Sequence, residues 1–296
     1  MEKIYTFDPL YQKLKGNDIN GMDMWGMKIP GLKNARPMMD ILDLSGKVAI
    51  VTGGAMGLGI CIVNRLCEAG ACVVIADLAT EYANDAVAYF ASKNQQVKFI
   101  NTDVREISQI EAAVAYTVKE FGKVDILVND AAIWRFSNIL ELAEEKWDAV
   151  VDTNLKGTVF FIQAVVKQMV KQGQGGKIVN IASIAGLSME TPYGWLTSYV
   201  ASKSGVVGIS QSLAKELKPM GININCVLPG GMITPGNFHV EQTPALAEIT
   251  QKYPRPPMTD PDEVARVVYM LTTGISDYMH GATIVVDGGA RWMINK

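Results

Sequence analysis

The sequence predicts an α/β fold in a single domain: a doubly wound parallel sheet of seven strands with helices on both faces. Three observations predict it. Short continuous apolar runs recur along the chain, as strands buried on both faces require. Helix-period segments alternate with these runs, the pattern of strand, crossover and parallel strand. Finally, Gly53, Asp77, Asp103, Asn129, Ser183 and Pro229 fall at or just beyond the carboxyl ends of the runs, where open α/β sheets bind their ligands.

The first unit is the apolar run 48–51, followed by Thr52-Gly53-Gly54-Ala55-Met56-Gly57-Leu58-Gly59 and helix-period residues through Ala69. Glycines between a buried strand and a helix let the backbone approach a pyrophosphate, which the N–H groups and dipole of the helix N-terminus then bind. Gly53, Gly57, Leu58 and Gly59 are therefore candidate cofactor-binding residues. The next strand, 71–77, ends in Asp77, 18 residues beyond Gly59. A carboxylate there accepts hydrogen bonds from a ribose diol and repels a 2′-phosphate, so NAD(H) is expected rather than NADP(H). Helix N-capping is the structural alternative for Asp77.

The alternation continues with a strand at 97–102 closed by Asp103-Val104, a helix at 107–121, and a strand at 124–128 ending in Asn129-Asp130-Ala131-Ala132. A long helix is expected over 142–172, around Asn154 and with Gly157 inside it. A strand at 177–182 ends at Ser183, and a helix follows at 198–217. A strand at 222–228 runs into Pro229-Gly230-Gly231. A helix at 261–271 and a last strand at 283–286 complete the set.

Residues 1–44 stand apart as an N-terminal extension, before a domain spanning 45–296. Glycines among Tyr5, Phe7, Tyr11, Trp25 and several methionines make the extension too apolar for a solvated linker and too broken for a helix, apart from a short one near 9–15. Such an arm is expected to pack on the body, a partner subunit or the active-site mouth.

Composition narrows the function. With 49% hydrophobic and 19% charged residues the chain is an ordinary globular one, and a net charge of −3 gives no basic surface for nucleic acid. Four cysteines without C-x-x-C spacing read as buried free thiols, in keeping with a reducing, cytoplasmic setting. Only two histidines are present, neither beside a cysteine pair, so no metal site is expected. No run approaches 18 uninterrupted apolar residues, and no membrane span is expected.

The chemistry centres on Tyr199-Val200-Ala201-Ser202-Lys203. Residues four apart on a helix are surface neighbours, so the Tyr199 phenol and Lys203 ammonium can share one spot. A positive charge about 5 Å away, at an effective dielectric near 20, favours phenolate by roughly 3 kcal/mol, or about two pKa units. A phenol so placed can exchange protons near neutral pH.

Taken together, Thr52 to Gly59, Asp103-Val104, Asn129, Asn154, Ser183, Tyr199-x-x-x-Lys203 and Pro229-Gly230 resemble, in order, the motifs of the classical short-chain dehydrogenases/reductases over about residues 44–290. The resemblance implies a Rossmann-like fold and reversible hydride transfer between a nicotinamide cofactor and an alcohol or ketone. It gives Tyr199 the acid/base role, Ser183 a hydrogen bond to the substrate oxygen, Lys203 the ribose and the tuning of the phenol, and Asn154 a proton-relay water. Asp103, Val104, Asn129, Tyr199, Lys203, Pro229, Gly230 and Thr234 join the cofactor site, and a homotetramer is implied, with residues 291–296 near a neighbouring subunit. Two departures stand out: Ala132 replaces the glycine of the usual Asn-Asn-Ala-Gly, and fifteen residues separate Ser183 from Tyr199, a few more than is common.

The expected substrate walls are Ile133, Trp134 and Phe136, residues 187–196, and residues 232–240, rich in aromatic and methionine side chains. They suit a small-molecule partner that is a large apolar ligand with few polar handles. Within the family the chain resembles bacterial hydroxysteroid dehydrogenases of the 20β type, which implies a steroid. Bile-acid and sugar or polyol dehydrogenases remain alternatives, as does a non-catalytic dinucleotide sensor, which would not need an acid/base pair.

Overall fold

A computed structural model describes residues 36–187, 195–235 and 258–290. The chain divides into two compact units, Met1–Ile41 and Leu42–Lys296. The helix expected near 9–15 and the residues expected at a subunit contact, 291–296, lie outside the described residues.

A short helix α1 (Met38–Leu42) is followed by β1 (Val48–Thr52), α2 (Gly57–Glu68), β2 (Cys72–Asp77), α3 (Thr80–Ser92), β3 (Val97–Asn101), α4 (Ile107–Phe121) and β4 (Ile126–Asn129). Then come α5 (Glu144–Val151), a π-helical turn (Asp152–Lys156), α6 (Gly157–Gln172), β5 (Gly176–Ile181), a 3₁₀ turn (Ile184–Leu187), α7 (Thr197–Leu217) and β6 (Ile222–Pro229). The series closes with α8 (Pro261–Thr272) and β7 (Thr283–Val286). The seven strands form one parallel sheet in the order β3-β2-β1-β4-β5-β6-β7. This is the doubly wound, Rossmann-like arrangement.

Alternation along the strands divides the core into two layers. Ala49, Val51, Val73 and Ile75 face α2, α3 and α8, burying Ile62, Leu66, Phe90, Val264 and Val268. Ile50, Leu127, Ile178 and Ile224 face α4, α6 and α7, burying Ile110, Phe161, Val165, Met169 and Leu217. Burying each such side chain contributes about 1.5–3 kcal/mol against leaving it exposed, which fixes the strand register. Asp260 caps α8 by accepting from the Asp262 N–H at 2.9 Å, with Pro261 at the first helical position. Arg65 of α2 then holds α8 through two bonds to the Asp262 carboxylate, at 2.8 and 2.6 Å.

Two elements depart from the sequence reading. Helix α3 was not assigned between the second and third strands: it buries only Ala83, Ala86 and Phe90, too weak a stripe to signal itself. The helix expected as one piece over 142–172 contains the π-helical turn, and Gly157 directly after it lies close against the segment after β3. A Cβ on Gly157 would lie 2.8 Å from the Val104 carbonyl, so glycine is required there. By length and hydropathy alone, Glu144–Gln172 is long and apolar enough to cross a membrane. Its buried residues, Phe161, Ile162, Val165 and Met169, instead cover the sheet.

Candidate active site

The strand order reverses between β1 and β4, and the crevice outside the carboxyl ends of those strands is the ligand site of such sheets. The glycine-rich turn fills one side of it. Gly53 has φ +68°, and a Cβ there would lie 2.8 Å from the Ala131 Cα, so β1 meets the segment after β4 with no room for a side chain. At Gly59 a Cβ would fall 2.0 Å from the Gly53 carbonyl oxygen, so α2 starts directly against the turn. Met56 at the N-cap of α2 supplies no side-chain acceptor, which leaves the helix N-terminus suited to a phosphate. The Leu58 side chain is buried in the core, so its backbone N–H is the group it can offer a cofactor.

The side chains expected around this turn are placed unequally. Asp77 lies at the end of β2, its carboxylate accepting from Ala55 N–H at 3.0 Å and Ala79 N–H at 2.9 Å. It braces the turn and the start of the segment after β2. Asp103 holds Arg105 through both carboxylate oxygens at 2.5–3.1 Å, and this bonding keeps its carboxyl below the usual range. Val104 is buried against Gly157. The Asn129 side chain turns into the sheet, donating to Asn180 Oδ1 at 2.8 Å, while Asn180 donates to Ser210 Oγ at 2.9 Å. Across the crevice, Pro229 ends β6, the Gly230 N–H donates to the Val286 carbonyl at 3.0 Å, and a Cβ on Gly57 would lie 3.6 Å from the Thr234 side chain. The segment after β6 thus reaches the glycine turn.

The catalytic candidates come together at the ends of β5 and α7. Gly186 lets the 3₁₀ turn after β5 press on α7: a Cβ there would meet the Lys203 carbonyl at 2.8 Å, and Ser204 Oγ donates to the Gly186 carbonyl at 3.1 Å. Ser183 opens that turn, its Oγ accepting from the Ala185 N–H at 3.2 Å, and its nearness lowers the Tyr199 phenol. Lys203 is buried, its Nζ 5.8 Å from the Tyr199 ring centroid and donating to the Ile181 carbonyl at 2.7 Å. Asn154 sits in the π-helical turn. Its amide clamps Ile133 on both backbone groups, accepting from N–H and donating to C=O at 2.8 Å each, and donates to Ser202 Oγ at 3.1 Å. The side-chain amide of Asn154 is therefore committed to protein partners, and its backbone carbonyl accepts from Thr158 Oγ1 at 2.8 Å.

Electrostatics modify the expectation for Tyr199. Burial pushes its phenol above the ordinary value, nearby Ser183 pulls it down, and the charge of Asp130 pushes it up again. Burial likewise lowers Lys203, opposed by Asp130 and then Cys226. Asp130 itself is raised by burial, against the attraction of Lys203; Asp77 raises it further, and the Gly59 N–H lowers it. The lysine effect expected from i, i+4 spacing alone is thus outweighed by desolvation.

Ser202 and Asp130 escaped the sequence reading. Ser202 is buried and bridges Asn154 to the Tyr199 carbonyl, to which it donates at 2.8 Å, but a serine inside a helix announces neither partner. For Asp130 the signal was its position, directly after a strand end beside Asn129. Of the expected substrate walls, Ile133, Trp134 and Phe136 are half-buried. Residues 188–194 and 236–240, the larger part of the other two walls, lie outside the described residues.

A Rossmann-like sheet with a glycine-rich turn at its switch point, and a serine, tyrosine and lysine at the end of the neighbouring strand, defines a dinucleotide-dependent oxidoreductase. The comparisons agree: the short chain dehydrogenase profile matches residues 47–245, and the chain belongs to that family. It is 36% identical over 255 residues to 2-dehydro-3-deoxy-D-gluconate 5-dehydrogenase of Dickeya dadantii, covering 85% of this chain and 98% of that protein. It is 35% identical over 262 residues to galactitol 2-dehydrogenase of Agrobacterium fabrum, with 84% and 99% covered. To a 3-oxoacyl-acyl-carrier-protein reductase of Thermotoga maritima it is 36% identical over 250 residues, with 83% and 98% covered. Among solved structures, a short-chain type dehydrogenase/reductase from Mycobacterium marinum superposes with a TM-score of 0.79 at 32% identity, covering 86% of this chain and 99% of that one.

Proposed function

We propose that this protein is an NAD(H)-dependent dehydrogenase that interconverts a ketone and a secondary alcohol, working as a cytoplasmic homotetramer. The observation that carries the catalytic part is the convergence of Ser183, Tyr199 and buried Lys203 beside the glycine turn. The glycine cradle and the N-terminus of α2 fit a dinucleotide pyrophosphate, and Asp77 at the end of β2 supports NAD(H) over NADP(H). When bound, the nicotinamide supplies or accepts the hydride.

The chain's own residues handle the oxygen and its proton. In reduction, Ser183 and Tyr199 donate hydrogen bonds to the carbonyl oxygen as charge builds on it, and Tyr199 gives up its proton. Lys203, held by the Ile181 carbonyl, presents a cation that favours phenolate as the proton leaves. Asn154 fixes the surrounding loop and the carbonyl end of the Tyr199 turn through Ile133 and Ser202.

For the substrate we carry a small polyhydroxylated ketone or alcohol, supported by relatives named for a sugar acid and a polyol. A steroid ketone is the second reading, favoured by half-buried Ile133 and Trp134 beside Tyr199. NADH oxidation is followed with a sugar ketone, a 20-keto steroid and bile-acid ketones, then repeated with NADPH. Turnover of the sugar ketone with NADH is the expected result; turnover of the steroid alone moves the substrate to the second reading. A preference for NADPH refutes the role given to Asp77. Tyr199→Phe is expected to abolish turnover while binding NADH, and full activity in that variant refutes the mechanism.

A further inference from the structure

The loop after β4 is held by an unusual pairing. Asn154 binds both backbone groups of Ile133, as a partner strand would, and so fixes the direction of the chain at the next residue. That residue is Trp134, whose carbonyl accepts a bond from the Arg135 guanidinium at 3.0 Å. Its indole meets the Tyr199 phenol edge to face, with centroids 6.5 Å apart and planes at 76°. Such a pair is attractive beyond the area it buries, and it restricts rotation of both rings. Both residues are half-buried, so each still exposes surface next to the atom that exchanges the proton.

We propose that Trp134 is the specificity-determining residue of the site: clamped by Asn154 through Ile133 and packed on Tyr199, its indole is a flat wall that selects substrates presenting a C–H-rich ring face next to the reacting carbon. The inference rests on the dehydrogenase reading and favours cyclic ketones and alcohols over open-chain ones such as the galactitol of one relative's name, so among the substrates carried above it supports a ring-form sugar or the steroid ketone. A ring face lies flush on an indole, whereas an open chain loses rotational freedom to make the same contact. Sugar rings and steroid rings both offer such a face.

The test compares cyclohexanone with methyl butyl ketone, which have equal carbon number and differ in the ring. Wild type, Trp134→Phe and Trp134→Ala are assayed with NADH on both. Trp134→Ala is expected to lose roughly tenfold in kcat/KM on cyclohexanone, mostly in KM, and less than about twofold on the open-chain ketone, with Trp134→Phe keeping most of the activity. Equal losses on the two ketones, or a fall in kcat alone, would reduce Trp134 to packing for Tyr199 and overturn the proposal. If wild type reduces no carbonyl compound at all, the dehydrogenase reading fails first. Trp134 is then judged by quenching of tryptophan emission by cyclohexanone, as the difference between wild type and Trp134→Phe. Saturable quenching that needs Trp134 supports the wall, and purely collisional quenching overturns it.

Discussion

The two ends of β4 carry one aspartate each, and they are treated oppositely. At the entry, buried Asp125 accepts from the Val48 N–H at 2.9 Å and pairs with Lys123 at 3.1 Å, with Lys47 at 3.9 Å. Every part of that carboxylate serves the joint between β1 and β4. At the exit, Asp130 is bonded through its backbone, its N–H donating to Thr52 Oγ1 at 3.1 Å. Its carboxylate feels the attraction of Lys203 and the repulsion of Asp77, and it raises the Tyr199 phenol. The difference teaches that this sheet spends charge on cohesion at its amino end and keeps charge available for chemistry at its carboxyl end.

The largest blow to the comparison would come from Lys203→Met. A cation acting on Tyr199 predicts a loss of kcat on the order of 10² or more with the melting temperature held or raised, since a desolvated charge is removed. A folded variant with near-normal kcat would place Lys203 with Asp125, among groups that only hold the fold. Next, Asp125→Ala strands the buried Val48 N–H and is expected to cost about 2 kcal/mol in chemical denaturation, leaving KM for NADH unchanged. A change in KM would break the division between the two ends. Asp77→Ala should narrow the preference for NADH over NADPH by about tenfold, readable as the ratio of kcat/KM values.

The smallest effect sharpens the comparison through pH. Burial raises Asp130 above its unfolded value, so its native state holds a proton more tightly, and stability is lost as pH rises through the folded pKa. Lys203, lowered by burial, works in the opposite sense: its penalty applies below its folded pKa and disappears above it. With Asp130→Asn the carboxylate penalty vanishes, and Lys203, without that partner, gives up its proton at lower pH. The variant and wild type should therefore melt together below about pH 4, with the variant gaining as pH rises from there to about 7 and the difference levelling off above that. A constant difference across pH would mean that Asp130 is not titrating.

The strands and most helices were legible because burial on both faces writes continuous apolar runs, and Tyr199 and Lys203 because helical spacing puts i and i+4 on one face. Helix α3 was not legible, since three small or single buried positions make no stripe. The π-helical turn could not be read either: it lies beside the close approach of Val104 to Gly157, a contact between residues over fifty positions apart. The same holds for charge. Spacing put Lys203 near Tyr199, but the desolvation that dominates both groups depends on Ser183, Ile181 and Asp130 arriving from other strands.

The strand order also sets a clock on synthesis. Thr52 of β1 pairs with Asn129 of β4, so one edge of the central strand stays open until 77 further residues have been made. At about 5–20 residues per second, that wait is roughly 4–15 s. Throughout it, a largely apolar strand with unmet backbone groups is exposed to any other nascent strand. The sheet that places the crevice at its centre thereby makes that same centre the last safe part of its first half, and the stage at which the emerging chain most depends on protection from aggregation.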